Sequence, residues 1–257
     1  MDSVPIVKKI PVFDLGQAQG KERAVVAHQI LKAFKEYGFF QRKRIIQMRQ
    51  KHSIPIVPSI MIQRSTDTGR KCWNTTAILT GKIKKLGQVT LQNIAEGLGL
   101  EAEFFGKEHG QRMFINHYPI CPDPSSTLGT GGHCDPNLIT IFQQQVYDLQ
   151  ILKNEERIGV EPLPHAFVVN FGLPITVISN GKLTSVAHRA VTNTTQARTA
   201  IGTYFCLANV VEPAKPFLGP ESPSLFKPFK WEIEFLPHYA SKKSVYHEAL
   251  EAFKINA

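Results

Sequence analysis

The stretch Gly131-Gly132-His133-Cys134-Asp135-Pro136-Asn137-Leu138-Ile139-Thr140-Ile141-Phe142 decides the reading of this chain. Along an extended backbone alternate side chains point the same way, so His133 and Asp135 can reach one point while Cys134 faces away. Beyond Asp135, Leu138 to Phe142 is a short apolar run of strand formers. Much later come His188-Arg189 and then Arg198. Two imidazoles and one carboxylate are the donor set that holds Fe(II) on one face and leaves the opposite positions open. His188 must then arrive from a neighbouring strand or loop, and the permanently cationic Arg198 suits a carboxylate. An H-x-D pair alone is more often structural than ligating. Its order and setting give this one weight.

Working outward, strands are expected at 112–118, 138–144, 149–153, 166–171, 175–178 and 200–207, with a turn at Ser179-Asn180-Gly181. Upstream, 10–15 reads as an opening strand. Residues 22–37 read as an amphipathic helix with Val25, Ile30, Leu31 and Phe34 on one side, closed by Gly38. Residues 89–98 read as the end of a helix stopped by Gly99. Short strands bounded by turns, with ligands at their edges, describe a jelly-roll or cupin-like cup. His117 should face outward, because Asn116 and Tyr118 occupy the other face of its strand, and His165 sits in a proline-flanked turn.

The runs Asn116-His117-Tyr118-Pro119-Ile120-Cys121-Pro122, Leu163-Pro164-His165-Ala166-Phe167-Val168-Val169-Asn170 and Ser185-Val186-Ala187-His188-Arg189, together with the Gly-His-Cys-Asp run, carry a resemblance. From about Ala95 onward the chain resembles the plant 2-oxoglutarate- and Fe(II)-dependent dioxygenases, and within them the hyoscyamine 6-dioxygenase group. The resemblance implies a mainly β fold with flanking α-helices around a double-stranded β-helix core. It implies His133, Asp135 and His188 as iron ligands. It implies Arg198 as the partner of the distal carboxylate of 2-oxoglutarate, flanked by Asn116 and Tyr118. The cofactors implied are Fe(II), 2-oxoglutarate as cosubstrate and O2, with ascorbate as reductant.

The implied reaction couples decarboxylation of 2-oxoglutarate to oxidation of a small plant specialised metabolite such as an alkaloid. Hydroxylation is the usual outcome, with epoxidation or desaturation as variants. One departure stands out: the family pattern is Arg-x-Ser, and this chain reads Arg198-Thr199-Ala200. A missing hydroxyl removes a hydrogen bond to a charged partner, about 1.5–3 kcal/mol. The alternative reading is an inactive or mis-spliced homologue with a binding role or none.

The resemblance fails between Arg42 and Leu86. Eleven Lys and Arg residues fall there against a single acid, Asp67, so the chain's net charge of +9 is concentrated in that segment. Apart from Trp73 no aromatic residue accompanies the charge, which argues against a specific nucleic-acid surface. Five divisions are expected: an N-terminal strand and helix at 1–41, an atypical basic segment at 42–86, a helical lead-in at 87–108, the dioxygenase core at 109–208 and a C-terminal extension at 209–257. A splicing or gene-model origin accounts for 42–86 better than a genuine shortened variant, although 54–62 could form a short edge strand. A poorly defined substrate side, uncoupled 2-oxoglutarate consumption and a protease-labile segment are the expected consequences.

The remaining features are consistent with a cytoplasmic monomer: 42% hydrophobic residues, no apolar run of membrane length and no signal-peptide core. Cys72, Cys121, Cys134 and Cys206 show neither zinc nor disulfide spacing.

Overall fold

The computed structural model describes residues 6–8, 10–14, 21–43, 67–106, 110–207, 210–241 and 246–255. The chain opens with β1 (Ile6–Lys8), β2 (Val12–Phe13), α1 (Lys21–Tyr37), β3 (Phe39–Lys43) and α2 (Asp67–Gly97). Strands β4 (Gly110–Tyr118), β5 (Leu128–His133), β6 (Ile139–Gln143), β7 (Leu149–Lys153), β8 (Glu156–Val160) and β9 (Ala166–Phe171) follow. After the one-turn helix α3 (Pro174–Ile178) come β10 (His188–Val191), β11 (Arg198–Cys206), β12 (Val210–Val211), β13 (Phe229–Lys230) and α4 (Leu236–Ser241).

Two sheets face each other. One has the order β2-β3-β9-β6-β11-β4 and the other β1-β8-β7-β10-β5. From β4 to β11 the chain passes repeatedly from one sheet to the other, the hallmark of the jelly roll. Between the layers lies a core whose largest fully buried members include Phe39, Phe40, Phe167, Phe171 and Phe205. Helix α1 closes over it through Phe34, stacked on Phe171 of β9 at 3.5 Å and set edge-on to Phe40 of β3 at 5.1 Å.

Two expectations are corrected. Residues 175–178 are not a strand but helix α3. Pro174 sits in its first turn, where proline's fixed φ and missing N–H cost nothing, and all five residues are buried. Burial of the β-branched run, rather than its strand preference, decides the conformation. The second correction concerns the helical lead-in, expected only from residue 87 onward, after the atypical basic segment. Helix α2 runs unbroken from Asp67 to Gly97, and within it Leu79 and Ile83 are buried while Lys82, Lys84 and Lys85 face outward. The expected edge strand at 54–62 lies outside the described residues.

Strands β5, β8 and β10 emerge where the sequence reading placed none. In β5 three of the six residues are glycine, which weakens any strand signal, yet β5 pairs antiparallel with β10.

Helix α2 touches the site-bearing sheet at Gly87. A Cβ there would lie 2.1 Å from the ring of Phe205 on β11, so only glycine permits the approach. Gly81, six residues earlier on the same helix, is exposed with no heavy atom within 4 Å of an added Cβ. The two glycines should therefore respond oppositely to alanine. Gly87→Ala is expected to cost about 1–3 kcal/mol by overpacking, and Gly81→Ala to add about 0.5–1 kcal/mol by helix propensity. Urea unfolding of the two variants checks both signs.

Candidate metal centre and cosubstrate pocket

His133 ends β5 and His188 opens β10, and the two residues are register partners across the antiparallel pair. Their rings lie 4.4 Å apart. Asp135, two residues past His133, turns its Oδ1 to within 3.3 Å of His133 Nε2 and 3.6 Å of His188 Nε2. One donor atom from each residue lies within 4.8 Å of the other two. The sheet pairing supplies the imidazoles side by side, and the loop leaving β5 supplies the carboxylate.

The surroundings decide which atoms are offered. His133 Nδ1 meets Gly131 O at 2.8 Å and His188 Nδ1 meets Val186 O at 3.2 Å. A carbonyl only accepts, so each Nδ1 carries a proton, and Nε2 is the atom each ring turns toward Asp135 and would offer to a metal. On Asp135, Oδ2 accepts from Asn170 Nδ2 at 2.8 Å and from the Thr140 hydroxyl, leaving Oδ1 toward the rings. Burial alone would push the Asp135 carboxyl up, but the neighbouring imidazoles and the Thr140 hydroxyl outweigh it and hold the carboxyl below its ordinary range. Three metal-ligating atoms thus converge inside the protein, and a divalent cation taking the place of any proton shared between them fits that chemistry.

The ligand loop is held by its backbone from several directions. Tyr239 donates its hydroxyl to Cys134 O at 2.9 Å, Leu173 N–H reaches Asp135 O at 2.8 Å, and Trp231 Nε1 donates to Pro136 O at 2.6 Å. Gly172 lets β9 pass close behind, since a Cβ there would fall 1.7 Å from Asn137 O. On the other side His247 Nε2 donates to Ser185 O at 2.7 Å, just ahead of His188. Cys134 is fully buried, its Sγ 3.9 Å from Ser185 O, and burial pushes its thiol up to about 12. It takes no part in the cluster of donors.

A cavity of about 80 Å³ adjoins the three donors, lined in part by Asn116, Tyr118, Phe142, Asp148, Leu149 and Tyr204. Strand β11 faces β4 so that Arg198 is the register partner of Tyr118 and Ala200 that of Asn116. The Arg198 guanidinium lies 3.9 Å over the Tyr118 ring, and the Tyr118 hydroxyl is already engaged with Thr130 Oγ1 at 2.9 Å. Arg198 Nη2 touches Asp148 Oδ2 at 2.5 Å, both side chains being almost wholly buried. The contact is poorly directed. Arg198 Nε and Nη2 and both Asp148 oxygens lack a hydrogen-bond partner of good geometry. Orphaned guanidinium donors fit a carboxylate-bearing ligand.

His117 and His165 stand apart from this site. His117 is exposed and paired with Thr199 Oγ1 at 3.0 Å, and His165 occupies a turn with φ of 59°. Sequence reasoning missed three contributors. Thr140 and Asn170 sit inside strands read as apolar, and Asp148 directly precedes the Leu149 strand. A carboxylate flush against an apolar run, with no basic neighbour in sequence, was the available signal for Asp148.

Comparisons with known proteins agree with this geometry. Residues 109–207 match the 2OG-Fe(II) oxygenase superfamily. Hyoscyamine 6-dioxygenase of Hyoscyamus niger is 45% identical over 184 residues, 68% of this chain and 52% of that protein. The chain spans about half the length of the first curated relatives it matches. The crystal structure of the rice dioxygenase for auxin oxidation superposes with a TM-score of 0.81 at 21% identity, covering 96% of this chain and 100% of that one. A structure of JOX2 in complex with 2OG, Fe and JA gives 0.80 at 20% identity, covering 99% and 91%. At those identities the structural likeness concerns the fold. The jelly roll, the two histidines and the buried aspartate are in place within or beside the stretch, residues 109–207, that matches the 2OG-Fe(II) oxygenase superfamily.

Proposed function

We propose that this chain is a 2-oxoglutarate- and Fe(II)-dependent oxygenase that hydroxylates a small plant specialised metabolite. The observation that carries the reading is the convergence of His133, Asp135 and His188 on one point beside a cavity whose wall residues Tyr118 and Asp148 lie against Arg198. Bound Fe(II) and 2-oxoglutarate supply O2 activation coupled to decarboxylation of the oxo acid to succinate. The chain's residues hold and orient. The two Nε2 atoms and Asp135 Oδ1 would hold the metal. Arg198, with Asn116 and Tyr118, takes the distal carboxylate, and Phe39, Phe142, Leu149 and Tyr204 give the cavity an apolar wall against water. The substrate class follows from likeness to hyoscyamine 6-dioxygenase and to 2'-deoxymugineic-acid 2'-dioxygenase of Hordeum vulgare, 38% identical over 167 residues.

A second reading, an inactive homologue, draws on two observations: Ala200 brings no hydroxyl to the arginine side of the pocket, and Arg198 already has a carboxylate against it. Turnover separates the readings. Succinate release from 2-oxoglutarate that requires added Fe(II), vanishes in Asp135→Ala and persists in His117→Ala supports the oxygenase. Its absence from correctly folded, iron-loaded protein supports the inactive homologue.

The contacts behind the ligands predict a graded effect. Asn170→Ala and Thr140→Val free Asp135 Oδ2 and should weaken divalent-metal binding about 10–100-fold. Asp135→Ala should abolish it. Calorimetric titration with Fe(II) or Co(II) under argon reads all three.

On the cosubstrate side, Ala200→Ser should lower the 2-oxoglutarate requirement by restoring a donor worth about 1.5–3 kcal/mol to a charged partner. Arg198→Ala should raise it steeply. Concentration dependence of succinate formation is the measurement.

A further inference from the structure

Arg198 carries a feature that the site's proposed chemistry does not use. Its partner, Asp148, is a carboxylate of the chain itself. Asp148 begins the approach to β7 and is wholly buried. Its backbone is fixed, since Val191 N–H donates to Asp148 O at 2.9 Å. Its side chain reaches across to Arg198 Nη2 at 2.5 Å. Among the described residues, the cavity beside the metal donors is lined by Asp148 and by Tyr118, the two groups that touch Arg198, but not by Arg198. The guanidinium is therefore screened from the cavity by its own protein.

We infer that Asp148 occupies the place of the distal carboxylate of 2-oxoglutarate on Arg198, so that the cosubstrate binds only by displacing it. The inference rests on Arg198 as the cosubstrate anchor, as proposed above.

Three features make the displacement feasible. The pair lacks well-directed hydrogen bonds, with Arg198 Nε and Nη2 and both Asp148 oxygens unsatisfied, so an incoming carboxylate that meets the guanidinium fork squarely gains what Asp148 does not. Burial pushes the Asp148 carboxyl up to about 7 against the pull of Arg198, so the charged form is poorly accommodated where it stands. Finally, Asp148 ends the irregular stretch 144–148 between β6 and β7, and with its carbonyl held by Val191 the side chain can leave Arg198 by a change of rotamer that disturbs neither strand. Every productive binding event then starts from a state in which the anchor is already filled. The apparent affinity falls by the fraction of molecules whose anchor is open.

The test measures binding without turnover. The full chain is loaded with Mn(II) and titrated with 2-oxoglutarate under argon by calorimetry. The proteins are the parent, Asp148→Asn, Asp148→Ala, Arg198→Ala and Asp148→Asn combined with Arg198→Ala. If Asp148 is the plug, both Asp148 variants bind 2-oxoglutarate at least tenfold more tightly than the parent. The gain disappears whenever Arg198 is removed. Binding of 2-oxopentanoate, which has the same 2-oxo end without the distal carboxylate, stays unchanged. Thermal melting adds a readout that a merely structural role would not give. The Asp148 variants should melt lower than the parent when empty, since Arg198 is left buried alone, yet show the larger rise on adding 2-oxoglutarate.

Asp148→Asn tests the charge alone and keeps the side chain's shape, should Asp148→Ala fold poorly. Unchanged or weakened 2-oxoglutarate binding in Asp148→Asn, with binding lost in Arg198→Ala, overturns this inference and leaves the anchor standing. Undiminished binding in Arg198→Ala overturns the anchor and this inference together.

Discussion

A carboxylate with almost no contact with water sits at the centre of this molecule, and much of the local architecture answers to it. Moving Asp135 out of solvent costs on the order of several kcal/mol unless charge and hydrogen bonds replace the lost hydration. Thr140 and Asn170 satisfy one oxygen from β6 and β9, neighbours in the larger sheet. The other oxygen faces two imidazoles from β5 and β10, neighbours in the smaller sheet. The carboxylate therefore ties the two layers together at the point where the chain brings its donors. The adjacent His-His register pair has no slack, because a one-residue slip of β10 against β5 would turn His188 to the opposite face.

The arginine side obeys the same rule with a different solution. Arg198 is also buried, and a lone guanidinium there is as costly as a lone carboxylate. Tyr118 offers its ring face and Asp148 a formal counter-charge, but neither satisfies the planar array of donors. One charge is thus enclosed by well-aimed hydrogen bonds and the other by imperfect ones. That asymmetry separates a place built to be permanently organised from a place left receptive.

Much of this was legible in the sequence. The H-x-D spacing and the second histidine pointed to the three side chains that the structure brings together, because side-chain chemistry and strand alternation are local facts. Strands β4, β6, β7, β9 and β11 lay close to their expected spans, since their apolar runs are strand-like in length and composition. What could not be read was set by distant contacts. The glycine-rich β5 has little intrinsic strand preference and is a strand because β10 pairs with it. Residues 175–178 have strand composition but follow Pro174 into a buried turn of helix. Asp148 and Arg198 are fifty residues apart in sequence, and only the meeting of the β7 and β11 regions brings them together. The lysines of α2 masked a helix because their apolar partners, Leu79 and Ile83, recur once per turn within a basic stretch.

The backbone clamp on the ligand loop bears on the order in which the protein is made. Cys134 and Pro136 surrender their carbonyls to Tyr239 and Trp231, residues 105 and 95 positions further along the chain. On a ribosome adding ~5–20 residues per second, the loop emerges roughly 5–20 s before the tyrosine that holds it. His133 and Asp135 therefore spend that interval attached to a loop whose carbonyls are not yet fixed, beside a His188 whose own neighbour Ser185 still awaits His247. The donor geometry is completed only when the last ordered turns of the chain have folded back. A metal ion delivered earlier would meet a flexible set of ligands with little power to discriminate between divalent ions. Whatever discrimination these donors exert among divalent ions is acquired after synthesis, conferred by residues outside the donor cluster.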